Sequence, residues 1–176
     1  MLPGDLTPEE QVKRMIRVDH AGEYGAKRIY AGQLAVLGKT ASAPLLRHMA
    51  EQEEQHLAAF SKLMVSRRVR PTLLMPLWHV AGYALGAATA LMGEKAAMAC
   101  TVAVESVIDE HYASQEETLI QHEPELHGMV SRFRAEEKEH HDAALENGAE
   151  STPFYQLLKT AIACQTRIAI WLSTRV

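Results

Sequence analysis

The chain has 176 residues, of which 47% are hydrophobic and 23% charged, the composition of a folded globular protein. This length favours a single domain over residues 1–176, and the composition excludes disorder, collagen and a disulfide scaffold. The formal net charge of −4 gives no electrostatic footprint for nucleic acid, so we expect no nucleic-acid partner. The two cysteines, Cys100 and Cys164, lie in apolar stretches and are expected to be buried free thiols. The N-terminus shows no pattern of a secretory signal.

Signals for helices recur along the whole chain, whereas alternating strand patterns are scarce. Thr7, followed by Pro8 and two glutamates, predicts the start of a first helix that extends to about Leu37. The other predicted helices cover about 42–67, 71–91, 93–121, 125–145 and, after a cap at 151–153, most of the remaining chain. Long helices joined by short loops predict an all-α antiparallel bundle.

The predicted third helix lies in an uncharged segment of 23 residues, 71–93, which is nominally long enough to span a bilayer. Its prolines and glycines, together with the charged residues that follow at once, favour a buried or interfacial segment over a true span. Within it, His79 is expected to be a core or pocket residue.

Two Glu-x-x-His motifs lie on the predicted second and fifth helices, at Glu53–His56 and Glu137–His140. Residues three apart share a helix face, so the carboxylate and the imidazole of one motif reach the same metal ion. Taken alone, each motif is more often a surface ion pair than a ligand pair. The acids beside the motifs are expected on the solvated face: Glu51, Glu54, Glu136 and Glu139.

Each motif has a partner carboxylate on the helix before it. Glu23 lies 30 residues before Glu53, and Glu105 lies 32 residues before Glu137, so the chain repeats this pattern at an offset of 82 to 84 residues. One glutamate from each of two helices, with Glu-x-x-His from each of the other two, is the ligand set of ferritin-like two-metal proteins. The six candidate metal ligands are Glu23, Glu53, His56, Glu105, Glu137 and His140.

Glu105 is the most informative of the six, because it stands alone in the apolar stretch 96–104. A buried carboxylate requires a cation, a hydrogen-bond donor or a proton to offset its lost hydration. Four carboxylates and two imidazoles suit two iron ions better than zinc, which prefers four tetrahedral ligands. Manganese remains open by ligand type.

Four segments carry a closer resemblance: DHAGEYGA at 19–26, RPTLLMPLWHVAGYALGAATALMG at 70–93, ACTVAVES at 99–106 and EEKEHHD at 136–142. Through them the chain, from about residue 12 to residue 176, resembles the demethoxyubiquinone hydroxylases of ubiquinone biosynthesis. The resemblance implies a ferritin-like antiparallel four-helix bundle with two additional, partly membrane-facing helices. It also implies a monooxygenase that hydroxylates the ring of 3-demethoxyubiquinol.

The iron ligands of that family fall on the same six candidate residues, with Glu53 and Glu137 as bridges between two irons. The resemblance further implies catalytic roles for His111 and Tyr112, with packing as the alternative role for Tyr112. Ser106 departs from many relatives, which carry a second glutamate there. The implied cofactors are two iron ions that change between Fe²⁺ and Fe³⁺, with O₂ as co-substrate and NADH or the reduced quinol as electron source.

A polyprenylated quinone substrate would explain the apolar segment 71–93, which we expect to contact a membrane surface. The apolar face of the last helix is expected to add to that surface, with Ile162, Ile168, Ile170 and Trp171, and core packing or a protein interface is the alternative. An accessory lipid-binding protein of ubiquinone biosynthesis and a homo-oligomer are the further partners left open. The expected location is the cytoplasmic face of a bacterial inner membrane, or the matrix side of the mitochondrial inner membrane in a eukaryote.

Two other functions compete with the hydroxylase. A ferritin-like or rubrerythrin-like iron oxidase or peroxide scavenger uses nearly the same ligands, but rubrerythrins also need a site of four cysteines. A non-catalytic lipid-binding protein would explain the apolar segment and leave the six buried ligands unexplained.

Overall fold

The computed structural model describes residues 6–176, and all regular secondary structure in that range is helical. The helices are α1 (Pro8–Leu37), α2 (Ala43–Ser66), α3 (Met75–Leu91), α4 (Glu94–Leu119), α5 (Pro124–Glu146) and α6 (Tyr155–Ser173), with a short 3₁₀ helix at Ala149–Ser151. The all-α prediction is confirmed, and the architecture is consistent with a ferritin-like bundle. The interpretation of residues 1–176 as one domain stays a prediction. Residues 1–5, with which the predicted domain and the N-terminal segment begin, lie outside the described residues.

The ends of the helices follow their sequence signals at α1 and depart from them at α3 and α6. Thr7 Oγ1 accepts a hydrogen bond from the Glu10 amide at 3.3 Å, and the Glu10 carboxylate accepts one from the Thr7 amide at 2.8 Å. Helix α3 begins at Met75 rather than at 71, because Pro76 fits the first turn of a helix and not its interior. The predicted cap at 151–153 is wrong, since the left-handed backbone of Phe154 (φ 58°) delays the start of α6 to Tyr155.

Helices α1, α2, α4 and α5 each carry a polar layer between two apolar layers. Along α1, for example, Glu23 lies between Ile16 of one apolar cluster and Tyr30 of the other. The cluster of Tyr30 also includes Leu37, Leu46, Met49, Met98 and Val102, and the cluster of Ile16 also includes Val12, Phe60, Leu119, Val130 and Phe133. The polar layer therefore lies at mid-height of the bundle, enclosed by hydrophobic packing at both ends.

Helix α3 packs on α1 through direct contact of the two backbones. A Cβ atom added to Gly86 would lie 2.8 Å from the carbonyl carbon of Ile29, and one added to Gly82 would lie 2.8 Å from the carbonyl oxygen of Gly25. Ordinary van der Waals contact requires at least 3.4 Å, so only glycine permits this approach. The two glycines thereby fix α3 against the helix that carries Glu23.

Helices α3 and α6 both present apolar side chains to solvent. On α3, Leu77 is 51% and Val80 64% exposed, and Leu73 just before it is 82% exposed; on α6 both Ile168 and Trp171 are 53% exposed. None of the helices in the described range has the length and hydrophobicity that crossing a membrane requires.

Two predictions for α6 are wrong. Ile162 is buried against Cys100 of α4 rather than exposed, and Cys164 is exposed although Cys100 is buried as predicted. Side chains two residues apart on a helix point in directions that differ by about 200° around the helix axis. The side of α6 that packs Ile162 on α4 therefore turns Cys164 outward.

Candidate metal centre

The six candidate ligands meet in the polar layer of the bundle. Glu23 comes from α1, the first Glu-x-x-His motif from α2, Glu105 from α4 and the second motif from α5. None of the six is more than 4% exposed. The helical spacing that the sequence showed thus brings all six predicted ligands into one buried cluster.

The cluster consists of two overlapping groups. In each group, one ligand atom per residue lies within 4.8 Å of the ligand atoms of the other three. The first group is Glu23, Glu53, His56 and Glu137, and the second is Glu53, Glu105, Glu137 and His140. Glu53 and Glu137 belong to both groups, so the two groups could hold two adjacent metal ions with two shared carboxylates.

Glu137 lies between the two imidazoles. Its Oε1 is 3.0 Å from His56 Nδ1, and its Oε2 is 3.1 Å from His140 Nδ1. His56 Nδ1 also lies 3.5 Å from a Glu23 oxygen, and His140 Nδ1 lies 3.4 Å from a Glu53 oxygen. Both histidines therefore turn Nδ1 toward the carboxylates.

Burial and mutual repulsion strongly perturb the carboxylates. Burial, followed by the charge of Glu137, raises the pKa of Glu53 and of Glu105 well above the usual range. Burial would also raise the pKa of Glu137, but hydrogen bonds from His140 and His56 lower it to about 2. Burial disfavours the charged imidazolium and by itself lowers the pKa of His56. The hydrogen bonds of His56 to Glu137 and Glu23 outweigh this effect and raise that pKa to about 11.

Glu53 supplies the clearest sign that the cluster fits a metal. Both of its carboxylate oxygens are buried and have no hydrogen-bond partner. Such atoms are costly to bury unless a cation or a proton satisfies them. With four carboxylates and two imidazoles at hand, the donor set suits two ions of the iron or manganese kind.

Two buried tyrosines support the cluster reciprocally. Tyr30 of α1 donates a hydrogen bond to Glu105 at 3.1 Å, and Tyr112 of α4 donates one to Glu23. Each tyrosine lies seven residues after a candidate ligand and reaches the ligand of the other half. Tyr112 therefore packs in the core and also bonds the site, while its catalytic role stays a prediction. Sequence reasoning missed Tyr30, although the same spacing identifies it.

His111 lies beside the cluster without joining it. Its Nε2 is 2.9 Å from an oxygen of the buried Asp19, and Gln115 donates a hydrogen bond to the same oxygen at 2.7 Å. Sequence reasoning missed Asp19 and Gln115, whose signal is a polar side chain at helical spacing from a candidate ligand.

Two further side-chain predictions are wrong. His79, the fifth residue of α3, is exposed rather than buried because its side of the helix faces solvent, and its Nδ1 lies 2.6 Å from Tyr24 Oη. Glu136 is not simply solvated, since its side chain is 29% exposed and one of its oxygens lies 2.5 Å from His56 Nε2. Its position next to Glu137 turns it toward α2.

An apolar cavity of about 90 Å³ lies on the side of α3 and α6. Its walls include Trp78 of α3 and Ile170 of α6. A smaller polar cavity contains Glu23, Glu105 and Tyr112. The two cavities share the lining residues Val18, Gly22, Ala26, Ile108 and Ile170. An apolar passage thus adjoins the candidate metal positions.

Comparison with known proteins identifies the family of this chain. The profile of the family described as "Ubiquinone biosynthesis protein COQ7" matches residues 10–173. This chain belongs to the COQ7 family. The family resemblance seen in the sequence is thereby confirmed.

Relatives in the COQ7 family cover nearly the whole chain. The 3-demethoxyubiquinol 3-hydroxylase of Rhodospirillum rubrum is 56% identical over 176 residues, which are 99% of this chain and 83% of the relative. The mitochondrial NADPH-dependent 3-demethoxyubiquinone 3-hydroxylase of Homo sapiens is 56% identical over 169 residues, 94% of this chain and 78% of the relative. The mitochondrial 5-demethoxyubiquinone hydroxylase of Saccharomyces cerevisiae is 39% identical over 180 residues, 93% of this chain and 77% of the relative.

Proposed function

We propose that this chain is a di-iron monooxygenase that uses O₂ to hydroxylate the ring of 3-demethoxyubiquinol in ubiquinone biosynthesis. The observation that carries the proposal is the near full-length match to hydroxylases at 56% identity. The two overlapping ligand groups beside an apolar passage support it, since this is the arrangement that the chemistry needs. The family match also favours the hydroxylase over an iron oxidase, a peroxide scavenger and a non-catalytic lipid-binding protein.

The six buried residues would hold the two irons. Glu23 and His56 would serve one iron, Glu105 and His140 the other, and the remaining two glutamates would bridge them. The iron pair supplies the activation of O₂, which side chains alone do not provide. The chain supplies anionic ligands that balance the metal charge, and apolar layers that keep water from the site.

The passage between α3 and α6 would admit the substrate. A quinol with a polyprenyl tail is apolar along most of its length, which suits walls such as Trp78, Leu85 and Ile170. His111 and Tyr112 line the polar cavity at its inner end, and we assign them to orient the quinol ring by hydrogen bonding. Tyr112 in addition holds the Glu23 carboxylate in place.

A reduced nicotinamide is the proposed electron source. The names of several mitochondrial relatives specify NADPH, which favours a nicotinamide over the reduced quinol. For this chain the choice between NADH and NADPH is decided by supplying each in turn to the iron-loaded protein.

The exposed apolar side chains of α3 and α6 would dock the protein on a membrane surface. Leu73, Leu77 and Trp171 are exposed, and Arg68 and Arg70 are exposed just before α3. Basic side chains beside an apolar face favour anionic lipid headgroups. We therefore propose a peripheral protein on the cytoplasmic face of a bacterial inner membrane, or on the matrix side in mitochondria. An accessory lipid-binding protein and a second copy of the chain are the proposed partners.

Product analysis tests the proposed reaction directly. Iron-loaded protein, a short-tailed demethoxyubiquinol, a reduced nicotinamide and ¹⁸O₂ are mixed, and the ring product is followed by mass spectrometry. One labelled oxygen atom in the ring is expected, and Glu137→Ala should abolish it while the exposed Glu139→Gln should not. Consumption of O₂ without ring product would reject the hydroxylase in favour of an oxidase.

A further inference from the structure

Each candidate ligand histidine contacts a residue of the opposite helix through Nε2, the ring nitrogen that faces away from the carboxylates. His56 Nε2 of α2 lies 2.5 Å from Glu136 Oε2 of α5, and His140 Nε2 of α5 lies 3.0 Å from Gln52 Oε1 of α2. Both acceptors are oxygens, so each histidine donates its Nε2 proton outward. Nδ1 faces the carboxylates and, once a metal has displaced its proton, is the nitrogen that would bind the metal.

The two supporting residues occupy equivalent positions of the internal repeat. Gln52 directly precedes Glu53, and Glu136 directly precedes Glu137, at the same offset of 84 residues that relates the two motifs. Each side chain crosses to the histidine of the other motif. The repeat is thus symmetric in geometry and asymmetric in charge, with an amide in one half and a carboxylate in the other.

This difference in charge changes how strongly each histidine binds a cation. A carboxylate behind an imidazole forms a charge-assisted hydrogen bond, about twice as strong as a neutral one, and makes Nδ1 a better donor. Its negative charge also attracts a cation directly. Partial exposure of Glu136 and the guanidinium of Arg132, 3.9 Å away, reduce this attraction without cancelling the hydrogen bond.

We infer that the two metal positions are inequivalent, and that the position of Glu23 and His56 binds its ion first and more tightly. The position of Glu105 and His140 fills second, because only a neutral amide supports its histidine. This inference rests on the proposed two-metal centre. Gln52 and Glu136 act in it as positioning residues, through the histidines and not on the substrate.

Anaerobic titration of the metal-free protein with Fe²⁺, followed by calorimetry, tests the inference without an activity assay. The wild type is expected to bind two ions in two steps, with affinities at least about tenfold apart. Glu136→Gln places an amide in both halves, so it should weaken the tighter step by about 10- to 100-fold and merge the two steps. Gln52→Glu should strengthen the weaker step and leave the tighter one unchanged.

The double variant Gln52→Glu/Glu136→Gln reverses the asymmetry and gives the sharpest test. Two separate steps should return, and adding Glu105→Gln to this background should now remove the tighter step rather than the weaker one. Glu139→Gln removes a charge from an exposed position of the same helix and controls for net charge. Circular dichroism checks that each variant is folded, and Gln52→Glu tests the inference even if Glu136→Gln fails to fold.

The outcomes separate this inference from the proposed function. Two ions bound in a single step by the wild type, or an effect of Glu136→Gln no larger than that of Glu139→Gln, would overturn the inequivalence and leave the two-metal centre intact. Binding of fewer than two ions by the wild type would overturn both.

Discussion

Replacing Gly86 by alanine is expected to destabilise the protein, although alanine forms helices better than glycine does. The added Cβ would lie 2.8 Å from the carbonyl carbon and 3.0 Å from the Cα of Ile29, and it would overlap the carbonyl oxygen. All three atoms belong to the backbone of α1, so no side chain can rotate to make room. Helix α3 must therefore move away from α1 or both helices must distort.

The size of the effect follows from two opposing contributions. Alanine in place of glycine inside a helix stabilises by about 1 kcal/mol. Overpacking a rigid contact costs about 1–3 kcal/mol, and here no flexible atom relieves it, so we expect the upper end of that range. The net loss is then about 2 kcal/mol, which lowers the melting temperature by about 4–8 °C in a chain of this size.

Gly128 offers a matched control inside α5, because a Cβ added there meets nothing within 4 Å. Gly128→Ala should stabilise by about 1 kcal/mol, so the two alanine variants should differ by about 3 kcal/mol. Urea unfolding of both metal-free variants and the wild type measures this difference. If Gly86→Ala proves as stable as Gly128→Ala, the backbone contact of α1 and α3 does not exist in solution.

The remaining predictions concern the carboxylate cluster. Without metal, the free energy of unfolding should fall as the pH rises from about 5 to about 8. The pKa values of Glu53, Glu105 and His56 are raised, so the folded state binds more protons than the unfolded state. Urea unfolding at several pH values checks the sign of this dependence. Glu105→Leu should stabilise the metal-free protein by about 1–3 kcal/mol, since it removes a buried carboxylate, and thermal unfolding measures this change. The same variant should bind one iron ion rather than two, which metal analysis measures. Tyr30→Phe removes the donor to Glu105 and should weaken the second metal position about tenfold, as measured by calorimetry.

Each of these predictions has a contrary result. Stability of the metal-free protein that rises with pH would mean that the carboxylates are not crowded as the structure has them. A less stable Glu105→Leu protein would show that packing outweighs the burial of charge there. Equal loss of affinity at both positions in Tyr30→Phe would show that Tyr30 acts on the fold and not on Glu105.

The spacing of residues within helices made the centre of the site predictable. Glu23, Glu105 and the two motifs repeat at matching offsets, and a helix converts such spacing into a shared face. The same rule identifies Tyr30 from Tyr112, so that omission was avoidable.

Features that depend on how one helix faces another were not readable in the same way. Glu136 and Gln52 each form a hydrogen bond with a histidine on the opposite helix, and no pattern within their own helix predicts these contacts. The exposure of Cys164 and the burial of Ile162 depend on which side of α6 meets α4. Gly82 and Gly86 looked like reasons against a membrane span, whereas the structure uses them for the contact with α1.

The first half of the internal repeat, α1 and α2, and the second half, α4 and α5, contact each other reciprocally. These contacts affect how the protein unfolds. Tyr30 bonds a ligand of the second half and Tyr112 a ligand of the first, while Gln52 and Glu136 each support the other half's histidine. Opening either half deprives the other of its polar partners, so partial unfolding of one half alone gains little. Amide hydrogens at the centres of α1, α2, α4 and α5 should therefore exchange through one shared opening event, and the repeat behaves as a single cooperative unit rather than as two stacked modules.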